Sequence, residues 1–213
     1  MKLYARRTSS NCQKVLWFLG ELDLGYEFVA TGGDAGGLDT TEYLALNPNG
    51  RVPTLLDGDF SVWESHTILR YLAAVHAPER FWSENPADRT RIERWMDWSQ
   101  DGFDAAFMAV FWGHWRTPES DRDSRMVRLQ LDRCRNYMTV LDHALTMNTF
   151  IAGNELSLAD IPIGALMYRY VNLDVTDDLL LNVARWYDAL TQREAFQKHV
   201  MLPIDDLKGR LAP

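Results

Sequence analysis

Two short stretches bring together residue types that can hold and activate a small polar ligand. One is Asn47-Pro48-Asn49-Gly50-Arg51-Val52-Pro53-Thr54, followed after an apolar pair and a turn by Trp63-Glu64-Ser65-His66. Pro53 stands at the head of a strand-like segment. Lacking an N–H and with φ fixed, it leaves the backbone polar groups of Val52 outside sheet pairing, where an extended ligand can use them. Glu64 and Ser65 open a helix-like run, where backbone N–H groups are unsatisfied and the helix dipole is positive. A bound carboxylate is favoured there, and the Glu64 carboxylate can hold an ammonium, so the pair suits one end of a small zwitterion. The other stretch is Thr8-Ser9-Ser10-Asn11-Cys12-Gln13-Lys14. Ser9, Ser10 and Asn11 can each donate a hydrogen bond to an anion, and each is equally an ordinary helix N-cap.

The elements that must position these residues change character once along the chain. Residues 2–5 and 27–30 read as short strands, and 12–24 between them carry Val15, Leu16, Phe18, Leu19 and Leu22 at helical spacing. A glycine-rich loop and a short helical segment at 42–46 follow. Residues 54–56 and 60–62 then flank Asp57-Gly58-Asp59, a hairpin signal, and 64–76 read as a helix. Strands interleaved with helices predict an α/β thioredoxin-like domain over residues 1–77. Residues 78–88 are polar and proline-bearing and read as a linker. From 89 to 213 only helical periodicity remains, predicting an all-α helical bundle. Its first two helices are expected at 90–115 and 120–147, with shorter ones at 160–170, 180–191 and 194–200. Ser157 and Asp160 form a capping box, with Leu156 and Ile161 as the hydrophobic staple; losing such a cap costs about 0.5–2 kcal/mol.

The Asn47 to Pro53 stretch followed by Glu64-Ser65 resembles the glutathione-binding half of the cytosolic glutathione transferases, and the resemblance runs almost end to end. It implies the glutathione transferase fold, glutathione as co-substrate, and a cis bond before Pro53. Frequency alone predicts trans, since only about 5–6% of X-Pro bonds in folded proteins are cis. The resemblance also implies that the Val52 backbone pairs with the cysteinyl part of glutathione and that Glu64 and Ser65 bind its γ-glutamyl end. Arg51 can reach the glycine carboxylate, a solvated loop arginine being an equal reading.

In a thioredoxin-like domain a Cys-x-x-Cys pair stands between the first strand and first helix; this chain has Ser9-x-x-Cys12. A hydroxyl cannot form a disulfide, but it can donate to a ligand's thiolate. Aligned on Lys14-Val15, Ser9 matches the catalytic serine of the theta-like, delta-like and zeta-like classes, with Ser10 and Asn11 as alternatives. Tyr4 lies inside a strand, so the tyrosine-using classes are not matched. A thiol titrates near roughly 8.5, and lowering it by about two units takes roughly 2.7 kcal/mol, within reach of one charge-assisted hydrogen bond and a helix N-terminus. The implied reaction conjugates that thiolate to a hydrophobic electrophile without a metal. Phe107, Phe111, Trp112 and Trp115 match the stretch bordering the electrophile site, although helical spacing also suits them to the core. Cys12 reads as a buried, inert thiol. A glutathione-dependent reductase or peroxidase, and a non-catalytic glutathione-binding or protein-interaction module, are the alternative functions. The family further implies a homodimer whose partner supplies an acid, Asp101 or Asp104, near the γ-glutamyl amine.

Composition sets outer bounds. With 213 residues, 46% hydrophobic, the chain can bury a sizeable core. A net charge of −8 without a basic run argues against nucleic acid or an anionic membrane as the main partner. No apolar stretch reaches bilayer length, no signal segment follows Met1, and Cys12 and Cys134 lack metal-ligand spacing. A cytoplasmic protein is expected.

Overall fold

Strands β1 (Lys2–Ala5), β2 (Glu27–Ala30), β3 (Thr54–Asp57) and β4 (Phe60–Trp63) form one sheet in the computed structural model, which describes residues 1–176 and 178–211. Their order is β2-β1-β3-β4. β1 runs parallel to β2 with Leu3 opposite Phe28, and antiparallel to β3 with Leu3 opposite Leu55. β3 and β4 form the expected hairpin, and Gly58 takes a φ of +59° in its turn, a conformation glycine adopts without a Cβ penalty. Helices α1 (Ser10–Glu21), α2 (Thr41–Leu46) and α3 (Ser65–His76) complete this part of the chain. The alternation of strand side chains puts Leu3, Ala5, Leu55 and Val62 into one buried core with Leu16 of α1 and Leu69 of α3.

The remainder is mostly helical: α4 (Pro86–Trp98), α5 (Ala105–Val110), α6 (Ser124–Ala144), α7 (Asp160–Val171), α8 (Leu181–Thr191) and α9 (Glu194–His199). Two sequence expectations need correction. First, α4 begins inside the segment read as linker. Asn85 caps it by accepting from Ala87 N at 2.9 Å, and Pro86 occupies the first turn, where its missing N–H has no intrahelical partner to lose. Phe81 in the same segment is buried edge-on against Phe18, 5.1 Å between centroids. Second, the helix expected over 90–115 is not uniform. π-helical turns at Ser99–Asp104 and Phe111–Arg116 flank α5. Gly102 in the first of them lies so close to α6 that a Cβ there would meet the Tyr137 ring at 2.7 Å.

Half of the expected capping box forms. Asp160 Oδ2 accepts from Ser157 N at 2.9 Å and from Ser157 Oγ at 3.0 Å. Ser157 Oγ in turn accepts from Ala159 N at 3.2 Å, while Asp160 N donates to the Ser157 carbonyl. Asp160 Oδ1 takes Ile151 N and Trp186 Nε1, each at 2.9 Å. The residue is therefore a wholly buried hub rather than a simple cap.

The helical part is fastened to α1. Trp17 packs edge-on against Phe196 at 4.9 Å, and a Cβ on Gly164 would lie 2.9 Å from the Trp17 ring. Glu21 Oε1 accepts from Trp17 Nε1 at 2.8 Å and from Arg193 Nε at 2.7 Å.

Candidate active site

The loop after β1 carries the candidate thiolate donors, and α7 holds that loop in place. Arg169 donates to the Thr8 carbonyl at 2.7 Å and to Gln13 Oε1 at 3.1 Å, and Gln13 Nε2 donates to the Arg7 carbonyl at 3.0 Å. Ser9 is the N-cap of α1, its Oγ accepting from Cys12 N at 3.4 Å. Acceptance there leaves the hydroxyl proton available to donate, and Ser9 lines a cleft of about 560 Å³. Ser10 is mostly buried, its hydroxyl 4.0 Å from Met108 Sδ.

Asn11 is exposed, and its Oδ1 accepts from Lys14 Nζ at 3.0 Å and Ser65 Oγ at 3.4 Å. An ammonium only donates, so the Lys14 contact assigns the amide oxygen and leaves Nδ2 as the outward donor. Lys14 itself is buried, bound to Asp104 Oδ2 at 2.6 Å and 3.3 Å from His66 Nε2. Burial pushes the His66 imidazole down to about 2, with the charges of Lys14 and Arg70 adding to the effect. It is thus neutral, with Nε2 the acceptor. Asp104, one of the two acids expected to reach a partner's ligand, is instead committed to Lys14 of its own chain.

Across the cleft stand Arg51 and Val52. The Val52–Pro53 bond is cis, as the family resemblance implied and frequency alone did not. The Arg51 carbonyl is held by Tyr43 Oη at 2.6 Å and Asn47 Nδ2 at 2.8 Å, and Thr54 Oγ1 bonds Tyr43 Oη at 2.9 Å. Val52 N–H and C=O pair with no other described residue. Pro53 is buried at the start of β3. Glu64 and Ser65 lie at the N-terminus of α3 and adjoin the cleft through the Ser65 to Asn11 bond. Glu64 is exposed and non-glycine yet holds φ +68°, the kind of backbone outlier that gathers at ligand sites.

Of the four aromatic residues expected at the electrophile site, Phe111 and Trp112 line the cleft, together with Met108. Phe107 and Trp115 do not, which corrects that expectation. Phe107 is fully buried, stacked on Phe103 at 5.9 Å and tilted against Tyr170 at 5.6 Å. Trp115 turns inward because its indole N–H finds the Ile204 carbonyl at 3.0 Å. Cys12 has no exposure, and burial raises its thiol's pKa. Sequence reading passed over Arg6, Arg116 and Arg169, which also line the cleft. The signal for Arg169 is a lone cation in the apolar run of α7. Lys14, set between Gln13 and Val15 in a helix buried on most sides, is the same kind of signal.

Comparison with known proteins identifies the family. Residues 3–80 match the family model for the glutathione S-transferase N-terminal domain, and 103–194 that for the glutathione S-transferase C-terminal domain. The chain is 37% identical over 204 residues to glutathione S-transferase GstB of Escherichia coli K12, covering 95% of this chain and 98% of the relative. A theta class glutathione S-transferase from the citrus canker pathogen Xanthomonas axonopodis pv. citri, solved with glutathione bound, superposes with a TM-score of 0.89. It is 38% identical, with 95% of this chain and 98% of that one covered. Maize glutathione S-transferase I in complex with an atrazine glutathione conjugate gives 0.84 at 25% identity, with coverage of 95% and 98%. The chain belongs to the glutathione S-transferase family and is an enzyme of that family.

Proposed function

We propose that the protein binds glutathione across Val52 and the N-terminus of α3 and conjugates its sulfur to an electrophile lodged against Phe111 and Trp112. The observation that carries this reading is that the Ser9 hydroxyl, at the head of α1, shares one cleft with the unpaired backbone of Val52. A peptide thiol extended along Val52 brings its sulfur toward a hydroxyl donor and a positive helix end, both of which favour the thiolate. Glu64 meets the γ-glutamyl ammonium, the Ser65 N–H and hydroxyl meet its carboxylate, and Arg51 meets the glycine carboxylate. The electron pair on sulfur forms the new carbon–sulfur bond, and the leaving group departs with the pair of the broken bond. The Xanthomonas relative solved with glutathione and the maize relative solved with a glutathione conjugate support both halves of the site. A reductase acting through Cys12 lacks an accessible thiol.

Ser9→Ala is expected to bind glutathione but to lose about 10- to 100-fold in turnover of chlorodinitrobenzene, the loss of one charge-assisted donor. Equal turnover in variant and parent moves the role to Ser10 or Asn11. The same reading divides the chain into a glutathione-binding domain over residues 1–77 and a helical domain over 89–213 joined through 78–88, places it in the cytoplasm, and makes it a homodimer with Asp101 as the acid free to reach a partner's ligand. Free, buried Cys12 and Cys134 support a reducing compartment. Exposed Phe60 and Trp63 on the edge strand β4 support association. Sedimentation at micromolar concentration is expected to show a dimer, and a monomer there contradicts it.

A further inference from the structure

The chain carries a net charge of −8, yet among the described residues the cleft beside Ser9 is lined by four arginines, Arg6, Arg51, Arg116 and Arg169, and by no aspartate or glutamate. Three of them form a cluster. Burial holds the Arg169 guanidinium down to about 10, with the charges of Arg6 and Arg116 adding to it, and Arg116 is lowered by burial and by Arg6. The carboxylate that acts on Arg169 from nearby, Asp104, is bound to Lys14. Arg6 Nε and Arg169 Nε are buried without a hydrogen-bond partner among the described residues. The two aromatic walls of the cleft are each covered by a guanidinium: Arg116 stands 4.2 Å over the Trp112 ring and Arg169 5.1 Å over Phe111. Arg6 and Arg116 also border an adjoining cleft of about 330 Å³, which Arg7, Arg210, Asp34 and Asp206 line with them, Asp34 pairing with Arg210 at 3.4 Å.

We propose that the electrophile taken beside Ser9 is an anion, a planar carboxylate whose charged group is held by Arg6 and Arg116 while its reacting carbon faces the glutathione sulfur. The inference rests on the conjugation reading above and adds the substrate class. Guanidinium groups bind carboxylates in a planar fork and stack on aromatic faces, and an anion here relieves the repulsion among three neighbouring cations. Arg51 is left for the glycine carboxylate of glutathione, Arg169, bonded to Thr8 and Gln13, acts through its charge, and Arg116 is oriented by the bond from its Nε to the Arg210 carbonyl at 2.6 Å.

A matched pair of aryl chlorides tests this: chlorodinitrobenzoate and its neutral isostere chlorodinitrobenzamide. In each, sulfur bonds to the ring carbon bearing chlorine, chloride leaves with the bond pair, and the thiol proton passes to solvent; the carboxylate is unchanged. With each kcat/KM divided by the uncatalysed rate constant, the carboxylate is expected to be favoured by about tenfold or more. Added salt narrows the ratio. Arg6→Gln and, separately, Arg116→Gln are expected to lower it about tenfold, and Arg6→Lys to restore part of it. The ratio is read on one preparation, so the amount of folded enzyme cancels. Both substrates turned over with a ratio near one, unchanged in Arg6→Gln, overturns the anion site and leaves conjugation standing. If neither substrate turns over, conjugation fails, and calorimetry with the two synthetic S-aryl glutathione conjugates decides the site. Tighter binding of the carboxylate conjugate that is lost in Arg6→Gln upholds it. Equal affinity, or no binding of either conjugate, overturns it.

Discussion

Ser9 owes its suitability to position more than to chemistry, since a lone serine hydroxyl is a weak donor. As N-cap it spends an oxygen lone pair on Cys12 N, so its proton is directed elsewhere, and the α1 dipole favours negative charge beside it. Asn11 is set by a second device, with its amide oxygen fixed by the Lys14 ammonium and its NH2 presented outward. Lys14→Met is expected to cost about 3 kcal/mol in urea unfolding, because Asp104 then keeps a charge with no partner. Adding Asp104→Asn to that variant is expected to recover part of the loss, and a double variant no more stable than the single one contradicts the account. The residues facing glutathione are legible in the sequence because proline, arginine and an acid–hydroxyl pair each imply a backbone or charge role at a fixed place. Lys14, His66 and the three clustered arginines are not, because their roles depend on partners from 52 to 161 residues away or on a shared cavity.

Among the elements, the segment around α7 ties scaffold to site. Asp160 gathers Ile151, Ser157 and Trp186 at the head of the helix, and Arg169 near its end pins the loop that carries Ser9. Burial raises the Asp160 pKa while the donors on its two oxygens oppose the shift. Asp160→Ala is expected to cost roughly 3 kcal/mol or more, above the range for an exposed cap, since four donor groups lose their acceptor. A cost below about 1 kcal/mol in denaturant titration makes it a cap only. Strands, the hairpin and most helices were readable from periodicity. The start of α4 was not, because Pro86 looks like a breaker unless it is placed in the first turn, nor were the π-helical turns, which leave the apolar spacing of 90–115 intact. Phe107 and Trp115 went to the core for a related reason. Spacing marks a helix face, but only packing against Tyr170 and Ile204 reveals what that face meets.

At the scale of the whole molecule, buried neutral histidines make folding sensitive to acid. His66 is pushed down to about 2 and His199 to about 4, mainly by burial. The unfolded chain binds protons at these sites near pH 6.5, which the folded chain refuses, so stability is complete above about 6.5 and declines as pH falls toward the folded values. Between about pH 7 and pH 5, His66 alone is expected to remove roughly 2 kcal/mol. Urea titrations at the two pH values check this, and His66→Asn is expected to flatten the decline. A decline of equal slope in that variant contradicts it. The same burial serves the site, because a protonated His66 would repel Lys14, which it now accepts.

Conjugation in this cleft depends on the ionisation of a sulfur beside Ser9. Ultraviolet absorbance of the thiolate, followed across pH in the glutathione-saturated enzyme, measures it directly. The parent is expected to titrate about two units below free glutathione's roughly 8.5, with Ser9→Ala returning toward the free value. A parent complex that titrates like glutathione in water contradicts the account.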